Sequence, residues 1–350
     1  VREILTVVGA RPQFVKAAPV SRALRAVAHE TLLHTGQHYD DEMSAVFFDE
    51  LGIPEPDVNL AVGSGRHGAQ TGRMLAGIEE VLVERRPDLV VVYGDTNSTL
   101  AGALAAAKME IPVAHVEAGL RSYRRDMPEE INRVLTDHVS ALLFCPTEHA
   151  RECLAREGIV DGVEVVGDVM VDALDEVRAR LDRGIAARFG IEEPYLVATL
   201  HRAENVDDPD RLRRAVQLLG SLPLPVVVPV HPRTRAAMER HGFEWSGKVT
   251  AVEPLSYVEM LGLVAGAEAV LTDSGGLQKE AVLLGTRCLT LRTETEWPET
   301  LEGGWNTVVD LDGDRVREVL DGPPPRGSVK GLGDGEAAGR IVESILDHLT

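Results

Sequence analysis

Acidic, cationic and imidazole side chains stand just past a series of short apolar runs. Asp95 follows the run 89–93 in Gly94-Asp95-Thr96-Asn97, and Glu117 follows the run 113–116 in Glu117-Ala118-Gly119. Glu129 and Glu130 follow Pro128 at the start of a helical pattern. Arg11 and Lys16 come after the first run, while His201 and His231 come after later ones, in His201-Arg202-Ala203-Glu204-Asn205 and His231-Pro232. Clustered carboxylates suit proton transfer, because neighbouring acids split their proton affinities and leave one base and one acid. Plainer readings exist: Asp95 as cap of a helix opening near Thr96, and Glu129 or Glu130 as complements to a helix N-terminus. Glu117 ends a strand and has no helix to cap, so its carboxylate is expected to face a ligand. Arg11 and Lys16 oppose a helix dipole at a cost of roughly a few tenths of a kcal/mol, which an anionic ligand would offset. A snorkelling lysine is the bland alternative for Lys16.

A second kind of chemistry is suggested by Thr272-Asp273-Ser274-Gly275-Gly276, which follows an apolar run and opens a helix. Free backbone N–H groups and the helix dipole make such a place an anion site, and glycine lets a phosphate approach closely. Glu280, six residues beyond Ser274 on the same helix, could accept the hydroxyls of a ribose. A plain glycine-rich turn is the competing reading. No G-x-x-x-x-G-K-[ST] and no G-x-G-x-x-G occurs, so the triphosphate and dinucleotide signatures are absent from the sequence. The three cysteines, Cys145, Cys153 and Cys288, are too scattered for a disulfide framework or a metal site, and no metal is expected.

These residues need strands to present them. Short β-branched runs recur at 4–8, 31–34, 89–93, 113–116, 141–144 and 163–166, each followed by helical periodicity or a turn. That alternation predicts a parallel sheet, and Leu89-Val90-Val91-Val92, apolar at every position, predicts a central strand covered on both faces. The pattern restarts after Gly167 with a long helix at 169–183 and strands at 195–199, 225–230, 249–252 and 269–272. The expected organisation is an α/β fold with two domains, 1–166 and 167–335, and an amphipathic helix within 336–350 that needs a partner surface. In open α/β sheets ligands bind beyond the carboxyl ends of the strands, where the polar residues above are found.

The length of 350 residues fits about two domains. A formal charge of −20 repels a phosphate backbone, so nucleic acid is not an expected partner. No apolar stretch approaches the ~18 to 20 residues of a membrane helix, and the first residues lack a signal-peptide core, so the expected location is the cytoplasm.

Seven motifs occur in one order: Gly9-Ala10-Arg11-Pro12, Thr35-Gly36-Gln37-His38, Tyr93-Gly94-Asp95-Thr96, His115-Val116-Glu117-Ala118-Gly119-Leu120-Arg121, Pro128-Glu129-Glu130-Ile131-Asn132-Arg133, His201-Arg202-Ala203-Glu204-Asn205 and Asp273-Ser274-Gly275-Gly276. Together, over roughly 4–305, they resemble the non-hydrolysing UDP-N-acetylglucosamine 2-epimerases. The resemblance implies a GT-B fold of two Rossmann-like domains facing across a cleft, with the C-terminal helix returning to the first domain. It also implies a cytoplasmic homodimer, no cofactor, and inversion of C2 of UDP-GlcNAc to give UDP-ManNAc. The family's route is anti elimination of UDP, a 2-acetamidoglucal intermediate and re-addition of UDP. By resemblance, Asp95, Glu117, Glu129 and His201 are catalytic, without saying which acid is base. Arg11, Lys16, Arg121, His231, Ser274, Gly275, Gly276 and Glu280 bind the substrate.

Regulated bacterial members bind a second, activating UDP-GlcNAc, and the matching positions here are Gln37, His38, Gln70 and Arg202. The arginine that precedes that glutamine is replaced by Ala69, and Tyr39-Asp40-Asp41-Glu42-Met43 is closer to archaeal-type loops. Three rival functions share parts of this pattern: a hydrolysing epimerase that releases ManNAc, a GT-B glycosyltransferase, and an inactive nucleotide-sugar sensor. The three first-domain carboxylates argue against the last two.

Overall fold

The structure, a computed structural model, describes residues 2–36 and 50–350, apart from the Arg11 side chain. It divides into two compact units, Val1–Glu176 with Gly331–Thr350, and Val177–Lys330. Each is a Rossmann-like layer structure around an all-parallel sheet, the α/β, GT-B class expected from the sequence.

In the first unit the strands are β1 (Glu3–Val8), β2 (His29–His34), β3 (Val58–Asn59), β4 (Leu89–Tyr93), β5 (Val113–Val116), β6 (Leu142–Cys145) and β7 (Val163–Val165). Their order is β3-β2-β1-β4-β5-β6-β7. Helices α1 (Arg11–Arg25), α2 (His67–Arg85), α3 (Asn97–Lys108), α4 (Pro128–Val139), α5 (Glu148–Arg156) and α6 (Val169–Val177) cover the faces. All five residues of β4 are 0% exposed, which explains the unbroken apolar run: helices cover both of its faces. The strand order reverses direction at β1 and β4, so the loops leaving their carboxyl ends part and open a crevice. Gly9 shows how close those loops come, since a Cβ there would lie 2.0 Å from Ser98 Oγ and 2.2 Å from Thr35 Oγ1.

The second unit contains β8 (Leu196–Thr199), β9 (Val226–Pro229), β10 (Val249–Val252), β11 (Ala269–Thr272), β12 (Arg287–Thr290) and β13 (Asn306–Val308), ordered β10-β9-β8-β11-β12-β13. Its helices are α7 (Ala203–Val206), α8 (Pro209–Gly220), α9 (Pro232–His241), α10 (Tyr257–Ala265), α11 (Gly275–Leu283) and α12 (Gly313–Asp321). The strands β12 and β13 escape the periodicity reading because they are four and three residues long and carry Arg287, Thr290 and Asn306. The helix expected over 169–183 stops at Val177 and passes into a single 3-10 turn, Arg178–Arg180.

The last helix, α13 (Ala337–His348), belongs to the first unit and lies against α1. It buries Ala337, Ala338, Ile341, Val342 and Ile345, one stripe of an amphipathic helix. Its N-terminal amides are capped from α6: Asp172 accepts from Ala338 N at 2.9 Å and Ala337 N at 3.3 Å. Asp168 N donates to Leu332 O at 2.8 Å. These bonds tie 168–172 to the C-terminal segment, so the first unit continues ten residues past the Gly167 restart of the sequence pattern. Replacing the fully buried Ile345 by Ala should cost about 2–4 kcal/mol, read as a lowered denaturant midpoint. A change under about 0.5 kcal/mol would mean that α13 adds little to the unit.

Candidate active site

In the first unit, strand register brings the predicted acids to one edge. Tyr93 pairs with Val116, so Gly94-Asp95 leaves β4 beside Glu117 leaving β5. Glu117 adopts a left-handed backbone, φ 70°, which is costly for a residue with a Cβ. Two bonds to one carbonyl hold the turn, Glu117 N and Ala118 N both donating to Phe144 O, at 3.1 and 3.0 Å. Its carboxylate Oε1 meets Lys16 Nζ at 2.5 Å, with side-chain exposures of 7% and 14%. Gly94, φ 63°, supports this pair by lacking a side chain: a Cβ would lie 3.3 Å from Lys16 Nζ and 3.6 Å from Glu117 Oε1.

Asp95 forms an ion pair with Arg133 of α4 and keeps a partly exposed carboxylate. Arg133 Nη1 also reaches Glu130 at 3.1 Å. The two adjacent glutamates differ in employment. Glu130 is buried and accepts from Ser122 N, Ser122 Oγ and Tyr123 N at 2.8–3.0 Å, fixing the loop before α4. Glu129 is half-buried and has no side-chain hydrogen bond among the described residues, so it is the member of the pair available for chemistry.

Two predicted binding residues are placed elsewhere. Arg121 was expected on the substrate, but its guanidinium donates to Asp137 Oδ2 at 2.7 Å and to both oxygens of Glu157 at 2.7 and 2.8 Å. Its side chain is fully buried and paired with two carboxylates, which places its guanidinium inside the unit. Gln70 likewise turns inward, donating to Gly63 O and accepting from Asn97 Nδ2, both at 2.8 Å. Asn132 continues that chain by donating to Asn97 Oδ1 at 3.2 Å and to Asp95 O at 2.9 Å. Gln37, His38 and the Arg11 side chain lie outside the described residues.

Sequence reasoning passed over Gln13. Its Oε1 accepts from Gly9 N and Ala10 N at 2.8 and 3.1 Å, and its Nε2 donates to Tyr93 O and Thr99 Oγ1 at 2.8 and 3.0 Å. All four hydrogen-bonding positions of the amide are filled, and they join the loops after β1 and β4.

In the second unit the histidine motif and the glycine turn meet over Asp273. Thr199 pairs with Thr272, which sets His201-Arg202 beside Asp273. The fully buried Asp273 accepts from His201 N, Arg202 N and Asn205 Nδ2 at 3.0–3.2 Å, and His201 Nδ1 lies 3.1 Å from Oδ1. The His201 ring faces that of His231, with centroids 5.5 Å apart. His231 caps α9 by accepting from Arg233 N through Nδ1. Ser274 caps α11 by accepting from Leu277 N at 3.3 Å, and a Cβ on Gly276 would meet only Ser274 Oγ, at 3.9 Å. A Cβ on Gly275 would stand 3.5 Å from Trp297 Nε1 and 4.0 Å from Arg202 Nη2, so two N–H donor side chains flank the α11 N-terminus. Glu280 is buried in the second turn of α11. This turn offers amide N–H groups, a partial positive dipole and a histidine held by a carboxylate, a combination suited to a phosphate.

Asp273 was missed as a site residue because its role appears only once β8 and β11 are paired. Burial alone would raise its pKa, but the His201 charge and hydrogen bond and the Arg202 and His201 amides hold it down at about 2. A carboxyl depressed from its ordinary ~3.9 stabilises the fold above that value and loses the contribution as pH falls toward 2. Asp273→Asn should therefore flatten the acid limb of the stability curve between about pH 4 and pH 2 and weaken binding of a diphosphate at this turn by about 10-fold or more. An unchanged acid limb with unchanged diphosphate affinity would remove Asp273 from this role.

The family profile described as UDP-N-acetylglucosamine 2-epimerase matches residues 22–346. A UDP-N-acetylglucosamine 2-epimerase homolog of Methanococcus maripaludis is 48% identical, over 98% of this chain and 99% of its own. A Pseudomonas aeruginosa UDP-2,3-diacetamido-2,3-dideoxy-D-glucuronate 2-epimerase is 47% identical over the same shares, 98% and 99%. Among solved structures, the Methanocaldococcus jannaschii UDP-GlcNAc 2-epimerase in complex with UDP-GlcNAc and UDP superposes with a TM-score of 0.91 at 43% identity, covering 99% of each chain. By sequence over its whole length and by fold, the chain belongs to the UDP-N-acetylglucosamine 2-epimerase family.

Proposed function

We propose that the protein interconverts UDP-GlcNAc and UDP-ManNAc without hydrolysing the nucleotide, using no cofactor. The observation that carries the reading is Glu117, held in a left-handed conformation against Lys16 and beside Gly94-Asp95. A strained carboxylate kept in place by its surroundings is expected at a reacting centre. In the forward reaction one carboxylate of Asp95, Glu117 and Glu129 takes the C2 proton, the C1–O bond breaks, and UDP leaves with its electron pair. The glucal then receives a proton at C2 from the opposite face and UDP at C1. Two faces require two proton-transfer groups, which a set of three acids can supply.

The leaving diphosphate is assigned to the second unit's turn, where Ser274, Gly275 and Gly276 present the α11 N-terminus and His201, with His231 at its side, adds an imidazole edge. Glu280 is assigned to the ribose. Lys16 adds cationic charge to the first unit's edge. We also infer a homodimer in the cytoplasm; an elution volume of one chain mass would contradict the dimer.

Product analysis tests the reading. Incubation with UDP-GlcNAc should yield UDP-ManNAc with no free sugar, whereas ManNAc with free UDP would make the protein a hydrolysing epimerase. The Pseudomonas relative names a second substrate whose C2 chemistry is the same. Faster turnover of a UDP-2,3-diacetamido uronic acid would replace the proposed substrate. Asp95→Asn, Glu117→Gln and Glu129→Gln should each slow turnover by about 10²-fold or more while UDP affinity stays within a few-fold. Equal losses of rate and affinity would indicate structural roles.

Activation by a second UDP-GlcNAc should be weak. Ala69 supplies no cation, and the Gln70 amide is turned inward onto Gly63 O and Asn97. An absent bidentate arginine contact removes roughly 1.5–3 kcal/mol, comparable to a whole allosteric coupling energy. Rates should follow UDP-GlcNAc hyperbolically, and UDP-ManNAc should be converted without added UDP-GlcNAc. A sigmoidal curve or a strict need for UDP-GlcNAc would place an intact activator site in the protein.

A further inference from the structure

His115 lies within β5 with no exposed surface, and both of its ring nitrogens are engaged. Nε2 stands 2.7 Å from the carbonyl oxygen of Gly94, and Nδ1 stands 2.6 Å from Asp137 Oδ1. A carbonyl oxygen only accepts, so Nε2 carries a proton. Asp137 Oδ2 already accepts from Arg121 Nη1 at 2.7 Å and from Gly119 N at 3.2 Å. The buried Arg121 guanidinium, paired with this carboxylate, favours its ionised form. An ionised Asp137 accepts at both oxygens, which makes Nδ1 a donor as well.

We infer that His115 is a wholly buried imidazolium that positions the Gly94–Asp95 peptide for the reaction and places a fixed positive charge behind the reacting carboxylates. The peptide is clamped from two sides, since Gly94 N donates to Val116 O at 3.0 Å while Gly94 O accepts from His115. The clamped segment lies against the Lys16–Glu117 pair, as the short distances from a Cβ at Gly94 show. His115 also precedes Glu117 by two residues, on the strand that Glu117 follows. A nearby cation favours the ionised form of a carboxylate, so this ring keeps the acids at the edge deprotonated, and able to serve as bases, to lower pH.

The charges around the ring are Asp137 from α4, Asp95 beyond β4, Glu117 beyond β5 itself and Lys16 from α1. Behind Asp137 stand Arg121 and Glu157, and His138 lies 4.0 Å from Glu157. Cys145 on β6 feels the same carboxylate, its thiol pushed up to about 12 by burial first and by Asp137 second. Arg121 thus joins the buried Asp137 to Glu157 at the surface.

The positioning claim rests on the epimerase reading, while the charge claim does not. Nitrogen-15 NMR of the histidine-labelled wild-type protein at neutral pH reads the charge directly, with His115 identified by slow ring N–H exchange in deuterium oxide. Protons on both ring nitrogens are expected; a single protonated nitrogen would overturn the inference. His115→Gln keeps an amide donor for Gly94 O but removes the charge. It should lower kcat about 10-fold with KM for UDP-GlcNAc within about 3-fold, and move the acid limb of the kcat profile up by about one pH unit. Wild-type kcat and an unmoved limb would overturn the positioning role, and if the variant fails to fold the ring spectrum still decides the charge. Absence of epimerisation by the wild type would count against the proposed activity and leave the ring measurement standing.

Discussion

A carboxylate forced into a left-handed backbone conformation is the constraint around which the first unit is arranged. Glu117 stays there because its amide and that of Ala118 share Phe144 O, and because the Lys16 ammonium meets its side chain. Gly119, φ 82°, completes the turn where a Cβ would fall 2.4 Å from Ala150 O. Removing one partner of a buried ion pair leaves the other charge unpaired, at a cost of about 3–5 kcal/mol. Lys16 is thus both a structural counterion and a cation at the edge where chemistry is proposed. Gln13 and Asn132 fix the neighbouring turns with amides, which hold geometry without adding charge.

The two units solve the same problem with different means. Each sheet runs in a Rossmann-like order, with its functional residues beyond the carboxyl ends of the central strands. In the first unit buried polar groups stand behind the edge: Asp137 and Arg121 with His115, and Glu157 meets Arg121 from the surface. In the second a single buried carboxylate, Asp273, gathers the amides of His201 and Arg202 and the Asn205 side chain. The first arrangement suits groups that must exchange protons, and the second suits a turn that must hold an anion still.

Much of this was legible in the sequence where one residue type has one physical consequence. The run Leu89-Val90-Val91-Val92 announced a strand covered on both faces, and a glutamate ending a strand before Ala118-Gly119 announced a carboxylate at the carboxyl edge of the sheet. Short polar strands were not legible, since Asn306-Thr307-Val308 has too few residues for a period. Residues whose meaning depends on pairing between distant strands were also hidden. Arg121 read as a substrate contact because its partners, Asp137 and Glu157, come 16 and 36 residues later. Asp273 read as part of a glycine turn, and only the register of β8 with β11 reveals what it accepts.

The central claim is that the carboxylates at this edge remove the proton from C2 of a UDP-sugar. The most direct measurement is proton NMR of UDP-GlcNAc incubated with the protein in deuterium oxide. The account predicts deuterium at C2 in sugar that still carries UDP, with the exchange lost when Glu117 is replaced by Gln. Epimerised product that retains its original C2 proton would contradict it.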